Sequence, residues 1–232
     1  MERFKNTGSI FGNAQRTSFE YMKMLKNQYS KNCKVLVVDD VDGLHSIGFA
    51  RKGNLVSYYE SKKIYFNGGK IDDFNIIGIK KRLEYEKSFL DIKLNNCNFY
   101  EQRITEKYDF VYCFRSLQRE SNKHISMKQK IKKLQSSVKK GGYLYIFYHL
   151  AKKETDYSNY YKNQYLRTGE MKEYFNKYDW EIISLIEHNK HTSHKKHPNH
   201  NRDHFHRVGH IFLKKKKVKT KNSFNYEIVT LF

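Results

Sequence analysis

The stretch that most restricts what this chain can become is Lys34-Val-Leu-Val-Val-Asp-Asp-Val-Asp-Gly-Leu-His-Ser-Ile-Gly-Phe-Ala-Arg-Lys-Gly53. Its β-branched apolar run, residues 35–38, has the character of a strand buried on both faces, as in a parallel sheet. The run ends in acidic residues and Gly43. A helical segment over 44–52 follows, and Gly53 is placed to stop it. A strand, a tight turn and a helix in that order form the unit that seats a nucleotide-like ligand at the carboxyl edge of an α/β sheet. A plain βα unit with no ligand would read the same way.

Length and composition narrow the field. A chain of 232 residues suits one domain with a sizeable core, with or without appendages. No apolar run approaches the roughly 18 residues of a membrane span. Residues 1–32 are polar and charged and do not read as a signal peptide. Cys33, Cys97 and Cys113 are odd in number and not spaced as metal pairs, which fits a reducing, cytoplasmic setting. The formal net charge is +21. Such a surface attracts polyanions, with nucleic acid the leading class, although an excess of Lys, Asn, Tyr and Ile is also what AT-rich coding produces. Three parts are expected: an N-terminal helical extension over 1–32, a main domain over 33–215 and a basic tail over 216–232. In the extension, residues 17–29 carry apolar side chains at loosely helical spacing, with Ser18 as N-cap.

The opening stretch resembles the first motif of class I S-adenosylmethionine (SAM)-dependent methyltransferases, Val-Leu-Asp-x-Gly-x-Gly-x-Gly followed by an amphipathic helix and Ala-x-x-Gly. Val35, Leu36, Gly43, Ala50 and Gly53 fall in register with it. Val37 stands at the family's Asp, and Asp39 and Val41 stand at its first two glycines. Those glycines let backbone approach the methionine part of SAM. Further blocks carry the resemblance onward. Tyr108-Asp-Phe-Val111, within residues 107–117, resembles the fourth strand. Lys139-Lys-Gly-Gly142 is similar to the turn into the fifth. Residues 180–186 and 208–213 are similar to the closing antiparallel pair. Residues 165–175, then a His-rich loop, then His206-Arg-Val-Gly-His210, resemble the tellurite-resistance type of small-molecule methyltransferase. The likeness spans roughly residues 33–215. It implies an α/β, class I methyltransferase-like (Rossmann-like) seven-stranded sheet, mainly parallel with one antiparallel strand, and helices on both faces.

The resemblance also assigns positions. Asp39, Asp40, Gly43 and Phe114 would lie along the SAM edge. The acid that accepts the ribose hydroxyls depends on the second strand. If that strand is 55–61, Glu60 is its terminal acid. If it is 74–79, followed by a helix over 82–95, residues 55–70 form an inserted hairpin and Lys80 takes the place. Topology favours the second arrangement. Residues 98–104 resemble the third strand, which puts Arg103, beside Ile104, where the family has the Asp near the adenine amine. Arg115 and His149 end strands four and five, where acceptors sit, and Arg207 and His200 correspond to residues that face the acceptor. Cys113-Phe-Arg-Ser116 matches neither the Asp/Asn-Pro-Pro-Tyr nor the Pro-Cys signature of DNA-base methyltransferases.

Two features stand outside the resemblance. His188, His191, His194, His197 and His200 recur every third residue. With no cysteine among them and Asp203 and Glu187 as the nearby acids, the run reads as an adaptable basic loop, not a metal site. Residues 157–167 interleave Tyr with Lys and Arg, suited to stacking on bases or to covering a small acceptor. Two functions follow. One is SAM-dependent methyl transfer to a small-molecule or RNA acceptor. The other is a catalytically inactive methyltransferase-fold protein that binds nucleic acid or a protein partner through its basic surface.

Overall fold

The computed structural model describes residues 32–41, 43–71, 74–86, 89–151, 165–188, 192–194 and 204–217. The helix expected over 17–29, most of the His-rich loop and the tail beyond residue 217 lie outside these. A central sheet runs β5-β2-β1-β6-β7-β10-β8. In chain order its strands are β1 (Lys34–Val38), β2 (Leu55–Tyr59), β5 (Ile92–Asn95), β6 (Tyr108–Phe114), β7 (Val138–Leu150), β8 (Trp180–Glu187) and β10 (His204–Lys215). β1 pairs in parallel with β2 and β6, β2 with β5, and β6 with β7. β10 runs antiparallel to both β7 and β8. β9 (Thr192–His194) pairs with the first residues of β10. The expected seven-stranded, mainly parallel sheet with one antiparallel strand is therefore present.

Side-chain alternation explains why the sheet needs cover on both faces. Along β1, Val35 and Val37 point to one core and Leu36 and Val38 to the other. The first core is aromatic: Phe110, Tyr112 and Phe114 of β6 meet Tyr143, Tyr145 and Phe147 of β7. Phe49 and Ala50 of helix α1 (Leu44–Ala50) close it, with Phe49 edge-on to Phe110 at 5.5 Å. The second core is aliphatic and is covered by Met127, Ile131 and Leu134 of helix α4 (Met127–Ser137). Their spacing sets one apolar stripe against β6 and β7. Gly142 admits the close approach of β7 to β6, since a Cβ there would stand 2.9 Å from the Asp109 carbonyl oxygen.

Two expectations are corrected at the sheet's first edge. The second strand is 55–59, because Val56, Tyr58 and Tyr59 are buried and pair with β1 residue for residue. Phe74–Ile76 is a short strand, β4, paired only with β3 (Gly69–Ile71). This hairpin follows helix α2 (Lys63–Asn67) and precedes helix α3 (Ile79–Glu84). Ile76 and Tyr65 bury against Val41 in a small separate cluster. The third strand is 92–95, at the end of the expected helix, whereas residues 99–101 form a 3-10 turn capped by the Asn98 side chain. Among the described residues no helix is long and apolar enough to cross a membrane.

Candidate functional site at the carboxyl edge of the sheet

The strand order changes direction at β1, and in open α/β sheets the ligand crevice lies at such a switch point, here beyond the carboxyl ends of β1 and β6. The loop after β1 lies at this edge. Asp39 and Val41 have φ of 57° and 59°, and Gly43 has φ of 76°. The backbone thus keeps a left-handed turn at residues where glycine would adopt it freely, although one is β-branched and pays steric strain for it. Gly43 is required for a local reason: a Cβ there would lie 2.5 Å from the Ile79 side chain of α3. Asp40 caps α1, accepting from the Ser46 N–H (2.8 Å) and hydroxyl (3.1 Å) and meeting the His45 ring with its other oxygen. Asp40 is therefore committed to the start of the helix.

Asp39 and Glu60, at the ends of β1 and β2, share one cation. Arg119 Nη1 donates to Glu60 Oε1 at 2.5 Å and stands 3.5 Å from Asp39 Oδ1, while Nη2 donates to the Asp39 carbonyl oxygen at 2.8 Å. Its guanidinium also lies over the Tyr65 ring, 5.5 Å from the centroid. Ser116 donates to Asp39 at 2.5 Å. Glu60 is fully buried; its Oε1 also accepts the Lys62 N–H at 2.9 Å, and its Oε2 has no hydrogen-bond partner. Burial outweighs Arg119 and, helped by Asp39, pushes the Glu60 carboxyl up to about 7. Asn96, just past β5, donates to the Glu60 carbonyl at 2.8 Å.

The loop that carries Arg119 is itself anchored from below. Lys130 of α4 is fully buried and donates to the Leu117 carbonyl at 2.6 Å, its ammonium lowered to about 8 by desolvation. Asn122 donates to the Ser116 carbonyl at 3.0 Å.

The expected acceptor side gathers at the ends of β6 and β7. Arg115 has a left-handed backbone (φ 59°), and its guanidinium lies 5.3 Å and 5.4 Å from the Phe114 and Phe147 rings. Burial brings it down to about 10. The His149 ring stacks on Tyr165 at 6.4 Å. Arg207 is beside them, but its guanidinium ties the Ala151 carbonyl (3.1 Å) to the Thr168 hydroxyl (2.9 Å), so it holds two segments together. His200 lies outside the described residues.

Other expected positions fall elsewhere. Phe114 is core: its ring stacks on Tyr112 at 6.1 Å and meets Phe147 at 4.9 Å. Arg103 is exposed in the loop that descends to β6, and Ile104 packs against the aliphatic core. Both assignments followed from placing the third strand too late; the residues that leave its true end are Asn96, Cys97 and Asn98. Arg119 had no place in the sequence reading, and Ser116 entered it only as the end of Cys113-Phe-Arg-Ser116. Two acids ending adjacent strands call for a neighbouring cation, and Arg115 and Arg119 after the fourth strand were the candidates. Among the described residues no group of three His, Cys, Asp or Glu is placed to hold a metal ion.

This strand order, with an acid closing β2 beside the β1 turn, defines a class I methyltransferase-like fold. The model of the tellurite resistance protein TehB family matches residues 57–209, and the chain belongs to that family. Solved structures agree on the fold. TehB from Haemophilus influenzae is 19% identical with a TM-score of 0.61, over 87% of this chain and 62% of that one. This chain therefore spans less than two thirds of that protein. The N-methyltransferase NodS from Bradyrhizobium japonicum, in complex with S-adenosyl-L-homocysteine, is 9% identical with a TM-score of 0.56, covering 89% and 90%. Magnesium protoporphyrin IX methyltransferase (ChlM) from Synechocystis, with bound SAM, is 12% identical with a TM-score of 0.54, covering 87% and 79%. No curated protein matches the chain.

The residues present fit the nucleoside end of SAM. A buried carboxylate oxygen without a donor is costly, about 1–3 kcal/mol, and Glu60 Oε2 is such an atom at the end of β2, where a ribose diol would supply donors.

Proposed function

We propose that this chain is a SAM-dependent methyltransferase acting on a small acceptor. The observation that carries the reading is Glu60, a buried acid at the ribose position with one oxygen left undonated. The left-handed turn kept at Asp39 and Val41 supports it, because strain of this kind persists where the surroundings enforce it, often at functional sites. SAM supplies an electrophilic methyl group on a sulfonium, and an acceptor lone pair takes it as the carbon–sulfur bond breaks. The protein's part is alignment, which supplies much of the acceleration in such transfers. Arg115 and His149 would orient an electron-rich acceptor, and Arg115 keeps its positive charge at neutral pH even with its pKa lowered. The TehB relationship and the Arg115 guanidinium at the end of β6 favour a small anionic acceptor over a nucleobase. Calorimetric titration with SAM and S-adenosylhomocysteine tests the reading: saturable binding of both is expected, and no heat at millimolar ligand would remove it.

One observation favours a second reading. Asp39 and Arg119 place side chains at the crevice, and a protein that has lost SAM could keep such a network as packing. In that case the chain is a silent scaffold that binds nucleic acid or a protein partner through its net charge of +21. Salt-insensitive or absent binding to RNA and DNA would exclude the nucleic-acid form.

A further inference from the structure

We infer that Arg119 is a positioning residue that favours the ionised form of Glu60 and leaves Glu60 Oε2 open to the ligand's ribose hydroxyls. The inference rests on the SAM-binding reading and adds a role for a residue in the loop after β6.

The geometry is asymmetric in a way packing alone does not require. Both protein donors to the carboxylate, Arg119 Nη1 and the Lys62 N–H, fall on Oε1. Arg119 is not free to wander to Oε2. It is held by the Asp39 carbonyl, by the Asp39 carboxylate and by the Tyr65 ring, and its loop is pinned by Lys130. With Oε1 taken by these two donors, Oε2 is the carboxylate oxygen left to accept from a neutral diol.

The charged and titratable groups around Glu60 set the sign of the effect. From β1 comes Asp39, which opposes ionisation of Glu60; from the loop after β6 comes Arg119, which favours it. Tyr58, on β2 itself, has its hydroxyl pKa pushed well above the usual value by burial and is neutral throughout. From α2 and its N-cap come the Tyr65 ring and the Lys62 ammonium, which lies over that ring. With Glu60 balanced at about 7, removing the one cation that the described residues place on its carboxylate leaves it facing Asp39 in a buried site. The acid then stays protonated at neutral pH and offers the diol a weaker acceptor.

The experiment is S-adenosylhomocysteine binding by calorimetry at half-unit steps from pH 5.5 to 9.5, with wild type, Arg119→Lys, Arg119→Met and Glu60→Gln. The ligand's own ionisations are common to all four proteins. In parallel, the ligand-free Glu60 titration is read by carboxyl carbon NMR, assigned with Glu60→Gln. In wild type, affinity is expected to fall as pH drops through about 7. In Arg119→Met, removing a charge this close moves the midpoint up by about one to three units, so affinity at pH 7 drops by about fivefold or more and recovers only as pH rises through the new midpoint. Arg119→Lys keeps the wild-type midpoint, and Glu60→Gln loses the dependence. An unmoved midpoint in a folded Arg119→Met protein, in binding and in NMR, overturns the inference. So does tighter binding at every pH, the result expected if Arg119 merely plugs the crevice. Wild-type protein that binds no S-adenosylhomocysteine at any pH overturns the SAM reading instead. Should Arg119→Met not fold, Arg119→Lys and Arg119→Gln carry the same comparison.

Discussion

Val41 is a β-branched residue in a left-handed conformation, and its neighbours explain why it persists. Its side chain is 4% exposed and packs with Tyr65 and Ile76, so burial of about 1.5–3 kcal/mol works against a strain of about 1–3 kcal/mol. The two terms separate by substitution. Val41→Ala loses the burial and keeps the strain; Val41→Gly loses the burial and the strain together. At an ordinary site glycine is worse than alanine by roughly 0.5–1 kcal/mol. Here Val41→Gly is expected to unfold at the same or higher urea concentration than Val41→Ala, and the usual order would show that the turn is unstrained. Glu60 gives a second residue-scale expectation. Its folded pKa is raised, so its charge costs stability as pH climbs from its unfolded value through about 7. Between pH 5 and 8 wild type should lose on the order of 3 kcal/mol relative to Glu60→Gln, measured by urea denaturation at each pH; equal slopes for the two proteins would contradict it. Asp39 and Val41 were visible in the sequence as departures from glycine. What could not be seen was that the backbone keeps the glycine geometry regardless, since φ at a non-glycine residue is decided by what packs around it.

Elements with strong periodicity or two buried faces were legible, and weak edge elements were not. The runs at 35–38, 108–114 and 143–150 are almost wholly apolar or aromatic, and a strand buried on both faces can be little else. The first edge failed because Ile92-Lys-Leu-Asn95 is a four-residue strand with partial burial, and the residues before it mimic a helical pattern. Topology favoured the stretch 74–79 over 55–61, because a well-patterned helix reads on from it, yet 74–76 sits in a two-stranded ribbon off the main sheet. Pairing partner, not local character, decided between them. The second-strand choice put Lys80 in place of Glu60, and the late third strand put Arg103 and Ile104 at the adenine end, whereas Asp39, Asp40 and Gly43 followed from the first strand and depended on neither. Helix α4 shows the opposite case, with its start written in the chain. Ser126 Oγ accepts the Gln129 N–H at 3.3 Å and Gln129 Oε1 accepts the Ser126 N–H at 3.1 Å, a reciprocal cap. Ser126→Ala is expected to cost about 1 kcal/mol in urea denaturation. The cap's side-chain hydrogen bonds join Ser126 only to Gln129, so S-adenosylhomocysteine affinity should hold; a parallel loss would mean that the start of α4 transmits to the Arg119 loop.

At the scale of the whole molecule, charge and fold make separate demands. A sheet covered on both faces takes up the apolar residues and leaves most of the described lysines, the buried Lys130 excepted, toward the surface, and the net charge of +21 is there whether or not any partner exists. Attraction to polyanions is then unavoidable at low salt, and its mere presence proves no function. The informative quantity is the coupling between that surface and the crevice. Duplex DNA of random sequence should bind at 50 mM salt, with log affinity falling linearly against log salt at about −0.9 per phosphate neutralised. If the basic surface is only a solvated face, S-adenosylhomocysteine affinity will be the same with and without saturating DNA, since two ligands that bias no common state cannot influence each other. If the surface presents an acceptor to the Arg115 and His149 end of the crevice, each ligand must change the affinity of the other by one and the same factor. A titration of each ligand in the presence of the other measures both sides of that equality. Independence is the expected result for a small-acceptor enzyme, and a reciprocal shift of fivefold or more, about 1 kcal/mol, would make the nucleic acid part of the reaction.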